Sequence, residues 1–194
     1  MTDGEYDFYK ITKNVRPRKH LSDALIFGTH RGIALDVGAG ALRDTKLLLS
    51  EGFEKVIALD KRAEVAGFAQ ELLNSKLEVV ISDFSDFNFT PDTYDMLNAQ
   101  YSLPFMNKET FKGAVENILL SVKKDGIFTG TFFGENDTCN NEEYDMGITS
   151  KKEVLNFFKN FKILSFLEKE RDIIIDDKQT IHRHSYHVIA RRKL

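Results

Sequence analysis

A chain of 194 residues, 42% of them hydrophobic, holds material for one full core and little room for a second. Its net charge of -3 excludes a global basic field of the kind that draws a protein to nucleic acid or to an acidic membrane. Its one cysteine, Cys139, excludes an internal disulfide, and without a cationic-then-apolar leader or a long apolar segment a cytoplasmic home is the expectation.

Residues 1–14 are mixed polar and aromatic, and a basic cluster follows (Lys13, Arg16, Arg18, Lys19, His20). Pro17 suits a helix start, with Leu21, Ala24, Leu25 and Ile26 as its buried side. Gly28 and Gly32 bracket the loop into a first strand at 33–37. A helix at 43–51 stops at the C-cap Gly52. A second strand at 55–59, a helix at 62–74 and a third strand at 77–81 follow. Tyr94 to Ala99 reads as a fourth strand. Asn107 reads as the cap of a long helix to Lys123, with Phe111, Val115, Ile118, Leu119 and Val122 inward. Asp125-Gly126 is a turn, Ile127 to Phe133 a fifth strand, and 135–146 a polar loop over the cleft. Ser150 and Glu153 form a capping box for a last helix at 151–160. Two extended segments, 162–174 and 181–191, read as an antiparallel hairpin about Asp176-Asp177-Lys178-Gln179.

Ile33-Ala34-Leu35-Asp36-Val37-Gly38-Ala39-Gly40 is a strand that ends in an acid and runs into a Gly-x-Gly turn before a helix. That order brings backbone close to a nucleotide-like ligand. Twenty residues after Gly40, a second apolar run ends at Asp60, placed to accept hydrogen bonds from both hydroxyls of a ribose. A dinucleotide fits poorly. The third small position of its fingerprint is Arg43, and a carboxylate at Asp36 would repel a pyrophosphate. Asp36 would instead suit an ammonium group. Ribose and ammonium without phosphate describe S-adenosylmethionine (SAM).

The pattern D-x-G-x-G, with Asp60 at the ribose position, resembles the first motifs of the class I SAM-dependent methyltransferases. The strand–helix order and the closing hairpin are similar to that family's fold. The resemblance therefore implies a Rossmann-like three-layer αβα sandwich, with a seven-stranded, mostly parallel sheet and an antiparallel C-terminal strand. It implies one domain over 1–194, with 1–30 as a helical cap and 162–191 as the hairpin. One departure stands out: many members carry a third glycine where this chain has Leu42.

On that resemblance the cofactor set is Asp36 facing the ammonium, Gly38 and Gly40 beside the methionine part, Asp60 and Lys61 at the ribose, and Asp83 and Phe84 at the adenine. Gln100 and Tyr101 border cofactor and acceptor. Arg16, ahead of the first helix, looks like the carboxylate-gripping arginine of the tellurite-methyltransferase-like group. The ending Tyr186 to Arg191 is similar to that group's last strand. The implied reaction moves the methyl of SAM to a small-molecule acceptor, with no nucleic acid and no membrane involved, by a monomer or weak homodimer. No catalytic residue is identified. Tyr101 is a candidate, and His20, Tyr101 and Glu135 are the bases a hydroxyl or amine acceptor would draw on. His182, His184 and His187 read as polar outward residues rather than a metal set, and Phe105 as packing. Two other functions stay open: a non-catalytic SAM-binding protein, kept alive by Leu42, and a nucleotide-dependent oxidoreductase.

Overall fold

The computed structural model describes residues 9, 12–176 and 179–194; Tyr6, Lys10 and Ile11 of the N-terminal segment, and Asp177 and Lys178 of the hairpin turn, lie outside them. The short apolar runs become a sheet because each is too short and too β-branched to form a helix of its own. The strands are β1 (Ile33–Val37), β2 (Lys55–Asp60), β3 (Leu77–Ile81), β4 (Tyr94–Ala99), β5 (Val122–Gly134), β6 (Ile148–Thr149), β7 (Phe161–Asp176) and β8 (Gln179–Arg192). Their order is β3-β2-β1-β4-β5-β8-β7, with β6 beside the end of β5. Strands β1 to β5 are mutually parallel, and β8 runs antiparallel to both β5 and β7. This is the expected sheet with one short strand added. β4 is buried along its whole length, as a central parallel strand covered on both faces must be.

Helices α1 (Lys19–Ile26), α2 (Arg43–Ser50), α3 (Glu64–Gln70), α4 (Phe111–Ser121) and α5 (Lys151–Phe157) supply the outer layers. α1 and α2 cover one face through Leu21, Leu25 and Leu48, which pack with Phe53, Met96 and Ile189. α4 and α5 cover the other, where Phe111, Val115, Ile118 and Val154 meet Phe128, Phe132 and Tyr186. Between β3 and β4 the chain runs without a helix, and Phe84, Phe87 and Phe89 fill that edge instead.

Some boundaries shift for local reasons. Asn107 caps a turn, not α4: its Oδ1 accepts from the backbone N–H of Glu109 and Thr110, and the helix begins at Phe111. The Asp125-Gly126 turn survives inside a longer β5. Tyr94 pairs with Val122 but Met96 with Ile127, so residues 123–126 loop out, and Asp125 takes φ +63°. The capping box at Ser150 forms both of its hydrogen bonds.

Candidate active site

The turn after β1 is held from two sides. The N–H groups of Gly38 and Ala39 donate to Leu59 O at 2.8 and 3.1 Å, which pins the loop to β2. Gly38 and Gly40 take φ +73° and +54°, conformations that cost a residue with a Cβ. A Cβ on Gly38 would also collide with Ser102. Leu42 takes the third left-handed position, φ +63°, without being glycine. It is 0% exposed and packs with Ala39, Ala58 and Val65. Packing thus offsets a backbone penalty of about 1–2 kcal/mol. The turn forms without the expected glycine.

Asp60 closes this loop from below. Its Oδ2 accepts the Gly40 N–H at 2.8 Å and its Oδ1 the Arg62 N–H at 3.0 Å. The Tyr9 hydroxyl reaches the same Oδ1 at 3.5 Å, and burial beside this carboxylate raises the Tyr9 phenol. Asp60 is therefore both the anchor of the loop and the acid at its mouth. Lys61 next to it is exposed.

Asp36 corrects the reading of a carboxylate open to an ammonium. It is 2% exposed, with Oδ2 accepting from Thr45 Oγ1 at 2.6 Å and Oδ1 from Asn98 Nδ2 at 2.8 Å. Burial, and then the charge of Asp44, push it up to about 7. Asp36 ties β1, β4 and α2 together under the site. Asp44 accepts the Arg18 N–H at 2.8 Å and faces the Arg18 Nε at 3.7 Å and the Arg43 Nε at 3.9 Å. Arg18 is the cation this arrangement draws inward, with its guanidinium 4.5 Å from the centre of the Tyr101 ring. Arg16, the residue expected there, is exposed.

At the β3 end, Asp83 is exposed and folds its Oδ1 back onto the N–H and hydroxyl of Ser85 at 3.1 Å. Phe84 packs toward Gly38 and the core. Beyond them opens a cavity of about 830 Å³, with Phe87, Phe105, Met106 and Asp145 in its walls.

The far side of the cleft was barely visible in the sequence. Gln100, 5% exposed, donates to Thr129 Oγ1 at 2.9 Å and accepts from Thr131 Oγ1 at 3.1 Å. Thr131 in turn meets His187 Nδ1 at 3.2 Å, and Ser185 Oγ meets His187 Nε2 at 3.2 Å. His20 stacks on His187 with ring centres 4.3 Å apart. Tyr101, held at φ +57°, sets its ring edge-on to His187 at 5.6 Å and to Phe133 at 6.4 Å. Burial, and then the neighbouring His20, hold His187 down to about 3, so it is neutral. The outward reading of the late histidines is thus overturned for two of them: His187 is 2% exposed and His184 3%. Phe105 errs the other way, being 59% exposed at the rim, because the short 3-10 turn at Leu103–Phe105 swings it out.

Among the described residues, Glu168, Glu170 and His184 come close enough to hold a metal ion. The Asn136 N–H donates to His184 Nδ1 at 3.2 Å, which leaves the ring proton on Nε2, facing Glu168 at 3.2 Å. A protonated Nε2 cannot ligate. Glu168 also pairs with Lys151 at 2.8 Å, so the cluster is a hydrogen-bonded ion-pair network.

The residues near the turn fit SAM. Gly38 and Gly40 put no side chain of their own into the turn, and Asp60 holds its backbone at Gly40. Two buried acceptors at the β4 end, Asn98 Oδ1 and Ser102 Oγ, have no hydrogen-bond partner among the described residues. A ligand bearing N–H donors suits them. Residues 34–126 match the sequence pattern of a methyltransferase domain. No curated protein matches the chain in sequence. Among solved structures it is similar to TehB from Haemophilus influenzae, at TM-score 0.76 and 18% identity, over 96% of this chain and 66% of that one. The chain therefore spans just under two thirds of TehB. It is also similar to the Burkholderia thailandensis 1,6-didemethyltoxoflavin-N1-methyltransferase, solved with bound 1,6-didemethyltoxoflavin and S-adenosylhomocysteine (SAH), at TM-score 0.65 and 18% identity over 91% and 78% of the chains. A methyltransferase solved with the Haloferax volcanii Trm112 methyltransferase activator gives TM-score 0.71 and 18% identity over 99% and 96%.

Proposed function

We propose that this chain is a class I SAM-dependent methyltransferase that methylates a small-molecule acceptor. The observation that carries the acceptor half of this reading is the cavity beyond Asp83 and Phe84, about 830 Å³ and walled by Phe87, Phe105 and Met106, a volume in the range of small-molecule pockets. The toxoflavin-precursor methyltransferase supports the class by analogy.

Bound SAM supplies an activated methyl group: the carbon–sulfur bond breaks as the acceptor's nucleophile forms the new bond, and SAH leaves. The residues bind, orient and exclude water. Asp60 would hold the ribose hydroxyls with Lys61 beside it, Asp83 and Phe84 would hold the adenine, and the Gly38–Gly40 backbone would lie along the methionine part. Arg18 replaces Arg16 as the group that meets the cofactor carboxylate. Gln100 fixes the end of β4, and Tyr101 walls the acceptor from the cofactor. A neutral His187 with both ring nitrogens engaged supports orientation and not proton abstraction. Leu42 adopts the required turn, which withdraws the reason for reading the site as degenerate. Calorimetric titration with SAM, SAH and NAD tests the cofactor half, with binding of the first two alone expected. An acceptor screen read by SAH release tests the other half. Methylation of polymer substrates alone would overturn the small-molecule reading.

A further inference from the structure

The crossover from β3 to β4 carries no helix, and the loop that replaces one forms a wall of the cavity of about 830 Å³. On that wall Phe87 and Phe89 meet edge to face, with ring centres 4.8 Å apart. Phe105 and Met106 of the 3-10 turn add a second wall. Gly113 and Asn117, four residues apart on one stripe of α4, add a third. A Cβ on Gly113 would meet nothing within 4 Å, so α4 leaves room there. The cavity adjoins the cofactor turn through Phe84, whose ring edge lies 3.6 Å from where a Cβ on Gly38 would stand.

The charged side chains in these walls are Asp83, Glu109 and Asp145, and no lysine, arginine or histidine stands among them. The three come from the end of β3, the approach to α4 and the loop ahead of β6. None has an ion-pair partner among the described residues. Lys112, three residues on from Glu109, pairs with Glu153 instead. Asp145 is held in place: its Oδ1 accepts the Lys108 N–H at 2.9 Å and its Oδ2 accepts from Asn107 Nδ2. Two residues on, the Gly147 N–H donates to Pro104 O at 2.8 Å, which ties this loop to the 3-10 turn. Across the cleft, the cations Arg18 and Arg183 are taken up by Asp44 and Asp137. Aromatic rings and unpaired carboxylates around one cavity favour the same ligand, a cation, and the carboxylates repel an anion.

We propose that the acceptor is a small organic cation with a flat apolar body, of the arylalkylamine class, and that Glu109 and Asp145 select it. The body would lie among the phenylalanines and the ammonium group would face the two acids. A protonated amine has no lone pair, so the ammonium is a handle and the methyl goes to an uncharged atom elsewhere on the molecule. This rests on the methyltransferase reading of the site and narrows its substrate class.

The test uses the whole protein saturated with SAH and three probes that share one ring system: tryptamine, cationic; tryptophol, neutral; and indoleacetate, anionic. The chain has no tryptophan, so indole fluorescence anisotropy reads the probe alone. Tryptamine should bind about fivefold tighter than tryptophol, the size expected of partly screened ion pairs, and indoleacetate should bind weakest. The double variant Glu109→Gln with Asp145→Asn should bring tryptamine level with tryptophol while leaving SAH and tryptophol unchanged. Glu54→Gln, an exposed substitution at the opposite end of the strands, should keep the preference. Gly113→Leu should weaken all three probes by filling the cavity, with no loss of stability, since leucine is the better helix former. Parity between tryptamine and tryptophol, tightest binding of indoleacetate, no binding by any probe, a preference that survives the double variant, or indifference to Gly113→Leu overturns the proposal. Failure of SAH itself to bind brings down the methyltransferase reading instead.

Discussion

On the cofactor side of the cleft, Asp36, Gly38, Gly40, Leu42, Asp44 and Asp60 all lie between residues 36 and 60. On the far side of the cleft, His20, Tyr101 and Thr131 come from three separate segments, and Arg183 and His187 from β8, brought together by sheet pairing and by α1. The first region is acidic and made largely of backbone and carboxylates. The second is basic and made of side chains. A mononucleotide-like ligand demands the same local groups in a fixed order, so its site can be written as a short motif. An acceptor site carries no such constraint, and its residues can be drawn from anywhere the topology brings together.

If the cofactor turn is folded by packing as described, removing its anchor should be costly. Leu42→Ala should lower unfolding free energy by about 2–5 kcal/mol in urea denaturation. Leu42→Gly, smaller still, should recover about 1 kcal/mol of that loss by relieving the left-handed strain. An Ala variant at least as stable as the Gly variant would show that the conformation carries no penalty.

The next effect separates binding from folding. Asp60→Ala should weaken SAH binding by about 1–3 kcal/mol, since ribose hydroxyls and the Gly40 N–H lose an ionised acceptor. Unchanged affinity by calorimetry would remove the ribose from this end of the cleft.

A smaller effect belongs to a local motif on the acceptor half. Ser150→Ala should cost about 1 kcal/mol of stability, measured the same way, because the N-cap of α5 loses its side-chain hydrogen bond. A loss several times larger would mean that α5 governs the hairpin as well.

The smallest effect contrasts the two regions most directly. Asp36 is held up to about 7 against an ordinary 3.8, so between those values the folded protein keeps a proton the unfolded chain has released. Its contribution to stability falls as pH rises through that window. His187 is held down to about 3 against an ordinary 6.5, so between those values the unfolded chain takes a proton the folded protein refuses. Its contribution falls as pH drops. From about pH 4 to about 6.5 the two slopes oppose each other and partly cancel. Asp36→Asn should therefore steepen the loss of stability in acid, and His187→Gln should flatten it or reverse its sign. Parallel urea midpoints across that range in both variants would count against the contrast.

The sheet was legible because strands of four to eight apolar residues leave little choice, and β1, β3 and β4 begin and end where their composition changes. Asp60 was legible because its spacing from the glycines is set by one strand–helix–strand unit. Arg18 was not, since one turn of backbone decides whether residue 16 or 18 points inward, and Pro17 between them fixes this only in three dimensions. The histidines misled because alternation along a strand says which residues share a face. It does not say which face α1 will cover. Phe105 misled because an aromatic beside Pro104 looks like core until the rim needs it exposed.

Among the described residues β7 is the last strand of the sheet, and no strand pairs with its outer edge. Such an edge invites a second chain to add itself, and proteins blunt it with charge. The run Glu168-Lys169-Glu170-Arg171-Asp172 places that charge at mid-strand, between the apolar stretches at Phe166-Leu167 and Ile173-Ile174. Alternating acids and bases in the middle of this strand therefore set a charged break between two apolar stretches that would otherwise be free to pair with another chain. Neutralising that run would join the two stretches into one apolar border on which a second copy could extend the sheet.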